Sequence, residues 1–242
     1  MNIAMWSGPR NLSTAMMYAF AQRGDCDVWD EPFYAAYLKV SGAAHPMREE
    51  ILAAHSADPA EIAARCAGPA PDGSAHFYQK HMTHHMLPGF DRGWFAQVRH
   101  VFLIRHPARV IASYDDRNPD PTLEDLGLPQ QTALFAEITR LTGQRPLVID
   151  SADIRAAPER MLRALCAALG LPFRRQMLSW PAGGHRRDGV WARHWYGAVH
   201  RSTGFAGPEG PLPALAPHLR PLLDAALPHY AALSALALKP GG

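Results

Sequence analysis

Short apolar runs alternate along the chain with longer stretches whose apolar residues recur at helical spacing. Residues 2–6 form an apolar run that stops at Ser7-Gly8, and residues 11–22 have helical composition. Residues 27–30 (DVWD) predict a second strand that ends just before Glu31-Pro32. Residues 33–67 predict helix in two or three pieces, broken at His45-Pro46 and Asp58-Pro59, because the residue before a proline is pushed out of the helical region. Residues 76–80 (HFYQK) are aromatic and strand-like, and residues 101–104 (VFLI) are the clearest buried strand. Arg105-His106-Pro107 follows, with Pro107 suited to the first turn of a helix. Residues 147–149 make a further short strand. Residues 158–169 repeat apolar positions at helical spacing up to Gly170, a natural stop. Such alternation predicts an α/β fold with a mainly parallel sheet flanked by helices. No repeat or low-complexity linker divides residues 1–242, so one domain is expected. The tail after Phe205, rich in Pro, Gly and Ala, is expected to wrap loosely.

Composition narrows the class. The 242 residues, 48% hydrophobic and 19% charged, suit one globular domain with a sizeable core. A net charge of +2 is not the broad basic footprint of a nucleic-acid binder. The 13 histidines would make the surface clearly cationic at lower pH. Cys26, Cys66 and Cys166 lack paired spacing, which fits buried or free thiols in a reducing compartment. The first residues show no basic stretch leading into an apolar one, and no apolar run approaches the roughly 20 residues of a membrane span. A soluble cytoplasmic protein is the expectation, with neither membrane nor nucleic acid as partner; a homo-oligomer is possible but unsupported.

Residues 6–17 (WSGPRNLSTAMM) carry the first candidate chemistry. In an open parallel sheet, ligands sit beyond the carboxyl ends of the strands, where residues 7–14 would lie. A helix starting near Asn11 offers unpaired N–H groups and a positive dipole end to an anion. Ser13 and Thr14 add hydroxyl donors, Arg10 can grip two oxygens at once, and Gly8, Pro9, Asn11 and Leu12 complete the loop. It is not a Walker loop, since Ser13-Thr14 stands where Gly-Lys is required. A tight turn in which Ser13 and Thr14 merely cap the helix fits this segment equally well. The second candidate is residues 102–114 (FLIRHPARVIASY), where the buried strand delivers Arg105 to the same sheet edge and Ser113 follows eight positions on.

The two segments together resemble the sulfotransferase family. The resemblance implies a P-loop-type three-layer α/β/α fold. It also implies 3′-phosphoadenosine 5′-phosphosulfate (PAPS) as sulfuryl donor, its 5′-phosphosulfate held by the first loop and its 3′-phosphate by Arg105 and Ser113. PRNLST stands where the family commonly has P-K-S-G-T-T, so Arg10 takes the lysine position, Ser13 and Thr14 the hydroxyl positions, and Leu12 replaces a glycine. Residues 186–191 (RRDGVW) resemble the family's late R-K-G loop over the nucleotide, with Arg187 and Gly189 as candidates. The segment DEPFYAAYL is similar to bacterial sulfotransferase-like proteins. No lysine stands in a pyridoxal-phosphate context.

Sulfuryl transfer, by analogy with phosphoryl transfer, needs a base for the acceptor, positive charge at the leaving phosphate and exclusion of water. Arg10 is the fixed cation. Glu31, following the second strand, is the first choice of base, a position that resembles the glutamate of the carbohydrate-type members; the alternative is that Asp30 or Glu31 caps the next helix. The rival is KHMTHHM at residues 80–86, where Lys80-His81 is one residue short of the K-x-H of phenol-type members. Lys80 could reach the bridging oxygen. His81, His84 and His85 share helical spacing, but no acidic or cysteine ligand accompanies them and no metal is expected. A P-loop kinase using ATP, and a nucleotide-binding protein without turnover, remain alternatives. The acceptor, a small molecule with a hydroxyl or amine, is not named by the sequence; Trp29, Phe33, Tyr34, Trp94 and Trp191 could line its pocket or belong to the core.

Overall fold

The structure, a computed structural model, describes residues 1–115 and 120–239. In chain order it runs β1 (Asn2–Ser7), α1 (Ser13–Ala21), β2 (Cys26–Asp30), α2 (Tyr34–Ser41), α3 (Arg48–Ala54), α4 (Pro59–Ala67), β3 (His76–Met82), β4 (Arg99–Ile104), α5 (Pro107–Asp115), α6 (Leu123–Leu126), α7 (Leu128–Thr142), β5 (Leu147–Asp150), α8 (Ser151–Ala156), α9 (Pro158–Leu169), α10 (Ala192–Trp195), α11 (Gly197–His200) and α12 (Arg220–Ser234). The five strands form one parallel sheet in the order β2-β3-β1-β4-β5.

Both faces of this sheet are covered, which explains why its strands read as apolar runs rather than alternating ones. In β1, Ile3 and Met5 face one core, packed with Met16 and Phe20 of α1 and Leu162 and Leu165 of α9. Ala4 and Trp6 face the other, packed with Ile62 of α4, Leu134 and Ile138 of α7 and Leu233 of α12. The result is three layers, helix on sheet on helix.

The strand order places the site. The chain leaves β1, builds β2 and β3 on one side, then crosses to β4 and β5 on the other, so β1 is where the order reverses. Parallel registers bring Ser7 level with Met82 and Leu103, and Asp30 level with Lys80. The carboxyl ends of β1 to β4 therefore share one edge, and the crevice above such a reversal is where ligands bind in open α/β sheets.

Local sequence explains most boundaries. The side chain of Asp58 accepts from Ala60 and Glu61 N–H with Pro59 behind it, which starts α4 at the expected break. Pro158 opens α9, and Gly170 (φ 73°) closes it in the left-handed conformation that glycine adopts without steric cost. The tail is the correction. Residues 205–216 are irregular as expected, but α12 follows and packs on α5, α7 and β5, with Ala226 and Leu233 buried. Pro221 and Pro228 concealed it: Pro221 stands in the first turn, where a proline is tolerated, whereas Pro228 lies inside the helix and reads as a breaker.

Candidate functional site

The loop between β1 and α1 turns through two left-handed residues, Arg10 (φ 61°) and Leu12 (φ 71°). Leu12 is the residue flanking α1, and it adopts the conformation that a glycine at this position would adopt freely. The replaced glycine therefore leaves the turn tight. Gly8 cannot be replaced so easily, because a Cβ there would lie 2.6 Å from the Leu126 carbonyl. Asn11 Nδ2 donates to Leu103 O at 3.2 Å, pinning the loop to β4. The first-turn N–H groups of α1 have no partner within the helix, no acidic side chain stands there, and Ser13 and Thr14 lie at its mouth. Asn11 Oδ1 is buried without a described hydrogen-bond partner. This arrangement suits an anion.

Arg10 and the second segment meet. Arg10 Nε donates to Ser113 Oγ at 2.7 Å, and Arg105 Nη1 donates to Arg10 O at 2.7 Å. Arg105, at the end of β4, also belongs to a cluster that spacing alone did not reveal. The carboxylate of Glu209, only 3% exposed, lies 2.5 Å from Arg105 Nη2, 2.9 Å from Arg109 Nε of α5 and 2.9 Å from Arg155 Nη1 of α8.

The second feature is a buried quartet at the carboxyl ends of β2 and β3. Lys80 Nζ donates to Asp30 Oδ1 at 2.8 Å, Glu31 Oε1 at 2.5 Å and Tyr196 OH at 2.6 Å. Tyr196 OH lies 2.9 Å from Asp30 Oδ1, and Trp191 Nε1 donates to it at 3.0 Å. Asp30 Oδ2 accepts from Gly189 N. Neither Asp30 nor Glu31 caps α2, whose flanking residue is Phe33 and which has no side-chain cap. Glu31 is instead held with φ 42°, its N–H on Lys80 O at 2.8 Å, and its Oε2 lies 3.9 Å from His85 Nδ1. Burial, reinforced by the Asp30 charge, raises the Glu31 carboxyl above its ordinary range against the pull of Lys80. For Lys80 burial acts downward, but the Asp30 and Glu31 carboxylates outweigh it and the ammonium is held above its usual value. A carboxylate with one oxygen fixed by a permanent cation and a raised affinity for protons has the properties of a general base.

Several expected residues are placed elsewhere. His81 points away from the quartet into the aromatic core, stacked on Trp6 at 4.4 Å with Trp94 at 5.4 Å, because consecutive strand residues face opposite sides of the sheet. Burial keeps its imidazole neutral, well below the usual range. Lys80 is 1% exposed and engaged by the quartet, so it orients Glu31, and no described hydrogen bond joins it to residues 8–14. Arg187 is spent on Asp27, at 2.9 and 2.5 Å, and the Gly189 backbone on Asp30, with a Cβ at Gly189 meeting the Trp191 indole at 2.2 Å. That loop closes the β2 side, and no described hydrogen bond or ion pair joins it to residues 8–14. Phe33 and Trp94 are core residues, whereas Tyr34 stacks on His85 at 4.4 Å, and Trp191 touches Tyr34 and the quartet. Among the described residues no group of three or more His, Cys, Asp or Glu is arranged to hold a metal.

Tyr196, Arg109, Arg155 and Glu209 escaped the sequence reading. Arg109 carried a usable signal, since it lies one helical turn after Arg105; the others come from distant segments and had none.

The comparisons agree with this architecture. The sulfotransferase domain model matches residues 1–237. The chain is 36% identical over 207 residues to branched-chain-amino-acid aminotransferase-like protein 2 of Arabidopsis thaliana, and 38% identical over 208 residues to the corresponding protein 1. Each match covers 86% of this chain, which spans only 36% and 37% of the length of those relatives. A sulfotransferase from Alicyclobacillus acidocaldarius, 15% identical, superposes with a TM-score of 0.59 over 97% of this chain and 94% of its own, which shows a shared fold. With the anion loop at the strand-order reversal and the domain match running through α12, the chain belongs to the sulfotransferase domain family.

Proposed function

We propose that this protein transfers a sulfuryl group from PAPS to a hydroxyl or amine of a small acceptor, with Glu31 as general base. The observation that carries the donor half is the chain Ser113–Arg10–Arg105, which ties the anion loop at the mouth of α1 to the residues after β4. One ligand with phosphate groups at two separate points matches cationic groups so arranged. When bound, PAPS supplies the sulfuryl group and a bisphosphate leaving group. Arg10 and the N–H groups of α1 would neutralise the charge that develops at the leaving phosphate, an effect that requires no reorganisation when the donors are fixed in advance. Glu31, about two strand spacings or roughly 10 Å across the edge from β1, would take the acceptor proton on its outer oxygen while Lys80 and Tyr196 hold the inner one. The left-handed Leu12 supports a working loop over a degenerate one, and a loop without lysine counts against ATP chemistry.

Calorimetry with 3′-phosphoadenosine 5′-phosphate and with ADP tests the donor. One charge-assisted contact is worth about 1.5–3 kcal/mol, roughly a ten- to hundred-fold preference for the bisphosphate. Equal affinities would remove PAPS as donor.

A further inference from the structure

Glu209 occupies surroundings that chemically suit a phosphate. Three guanidinium groups converge on its one carboxylate, two of them on Oε1 and the third on Oε2. One negative charge against three positive ones leaves the cluster unbalanced. A phosphate monoester, at about −1.5 to −2 charge and with three acceptor oxygens, would balance it better. Guanidinium forks favour such an anion, because each can bind two oxygens in its plane.

The segment that delivers Glu209 is lightly held. Residues 205–216 form no helix or strand, and Gly207, Pro208, Gly210, Pro211 and Pro213 bracket the glutamate. The described hydrogen bonds and ion pairs of residues 206–215 all go to the same three arginines: Arg155 Nε donates to Gly207 O at 2.9 Å, Arg109 Nη2 donates to Gly210 O, and Glu209 takes the rest. What anchors the strap is thus the anion cluster itself. The cluster also touches the phosphate loop, through Arg105 Nη1 on Arg10 O.

We propose that Arg105, Arg109 and Arg155 form a pocket for a phosphate monoester and that Glu209 is its displaceable internal occupant. Entry of the phosphate expels the carboxylate and releases the strap of residues 206–213, so that the chain itself competes with its ligand. This depends on the donor reading only for which phosphate arrives, a nucleotide 3′-phosphate in that case.

Hydrogen exchange of the full chain, alone, with inorganic phosphate and with 3′-phosphoadenosine 5′-phosphate, tests the displacement. Deuterium uptake across residues 206–213 is expected to rise with either ligand. Glu209→Gln removes the competing charge and keeps the shape, and is expected to tighten bisphosphate binding about tenfold, as removal of a closed state does. The same variant melts lower than the parent without phosphate and regains the difference with it, which shows that it is folded. Added protection of the strap by phosphate, or weaker bisphosphate binding in Glu209→Gln, would make Glu209 a fixed part of the pocket and overturn the proposal. So would the lack of any response in both proteins. Equal affinity for the bisphosphate and ADP, with uptake still raised by inorganic phosphate, would uphold the strap and discard the donor.

Discussion

At the residue scale, Glu31 has a backbone and a side chain set by different neighbours. Its φ of 42° is an uncommon conformation for a residue with a Cβ, held by its N–H on Lys80 O and its O on Tyr34 N. Its carboxylate answers to Lys80 and Tyr196, and burial raises its affinity for protons. A base works only when ionised, so the acid limb of the turnover profile is expected above the ordinary glutamate value of about 4.3. Glu31→Gln is expected to lower turnover about 10²-fold and to leave bisphosphate affinity within roughly twofold, because the proposed base would face the acceptor rather than the nucleotide. Steady-state rates beside calorimetry check this, and full activity in the variant would remove Glu31 as the base.

At the element scale, α12 does what the irregular tail before it does not. It covers the face of β5, and Tyr230 OH donates to Asp150 Oδ2 at 2.6 Å, while Asp150 Oδ1 caps the start of α8 by accepting from Ala152 N at 2.8 Å. Burial raises the Asp150 carboxyl, and the Tyr230 hydroxyl opposes that rise. Tyr230→Phe takes the donor from a buried carboxylate and keeps the ring, so it is expected to cost about 1–3 kcal/mol in urea unfolding. A loss below about 0.5 kcal/mol would mean that apolar contacts alone seat the helix.

At the scale of the whole molecule, the many histidines act in the opposite direction from a cationic surface. His81 and His85 are buried and kept neutral well below their usual range, and His84 and His100 are pushed down to about 4, in each case first by burial. The unfolded chain takes up protons near pH 6.5 that the folded chain refuses, so stability is full above that value and falls as pH drops toward 4. Each of the four adds to that loss as the pH falls below 6.5, because each must be forced into the charged form that burial disfavours. Urea midpoints at pH 7.5, 6.5 and 5.5 are expected to fall steeply over the last interval; a flat series would show that these rings take up protons without unfolding.

Much of this was local enough to be legible in the sequence. All five strands and the breaks before Pro59 and after Leu169 follow from apolar runs, prolines and glycines, because covered parallel strands and helix ends are specified by a few adjacent residues. Arg10, Ser13, Thr14 and Glu31 could be singled out because loops after parallel strands share one edge. Side-chain partners could not. His81 and Lys80 are neighbours in sequence, yet one lies in the aromatic core and the other in the acidic quartet, since a strand alternates faces and only the packed layers decide what each face meets. Lys80 pairs with Asp30 and Tyr196, 50 and 116 positions away, and Glu209 reaches Arg105 across 104. Charges that come together over such separations have no local signature; the topology of the sheet and the path of the tail brought them into contact.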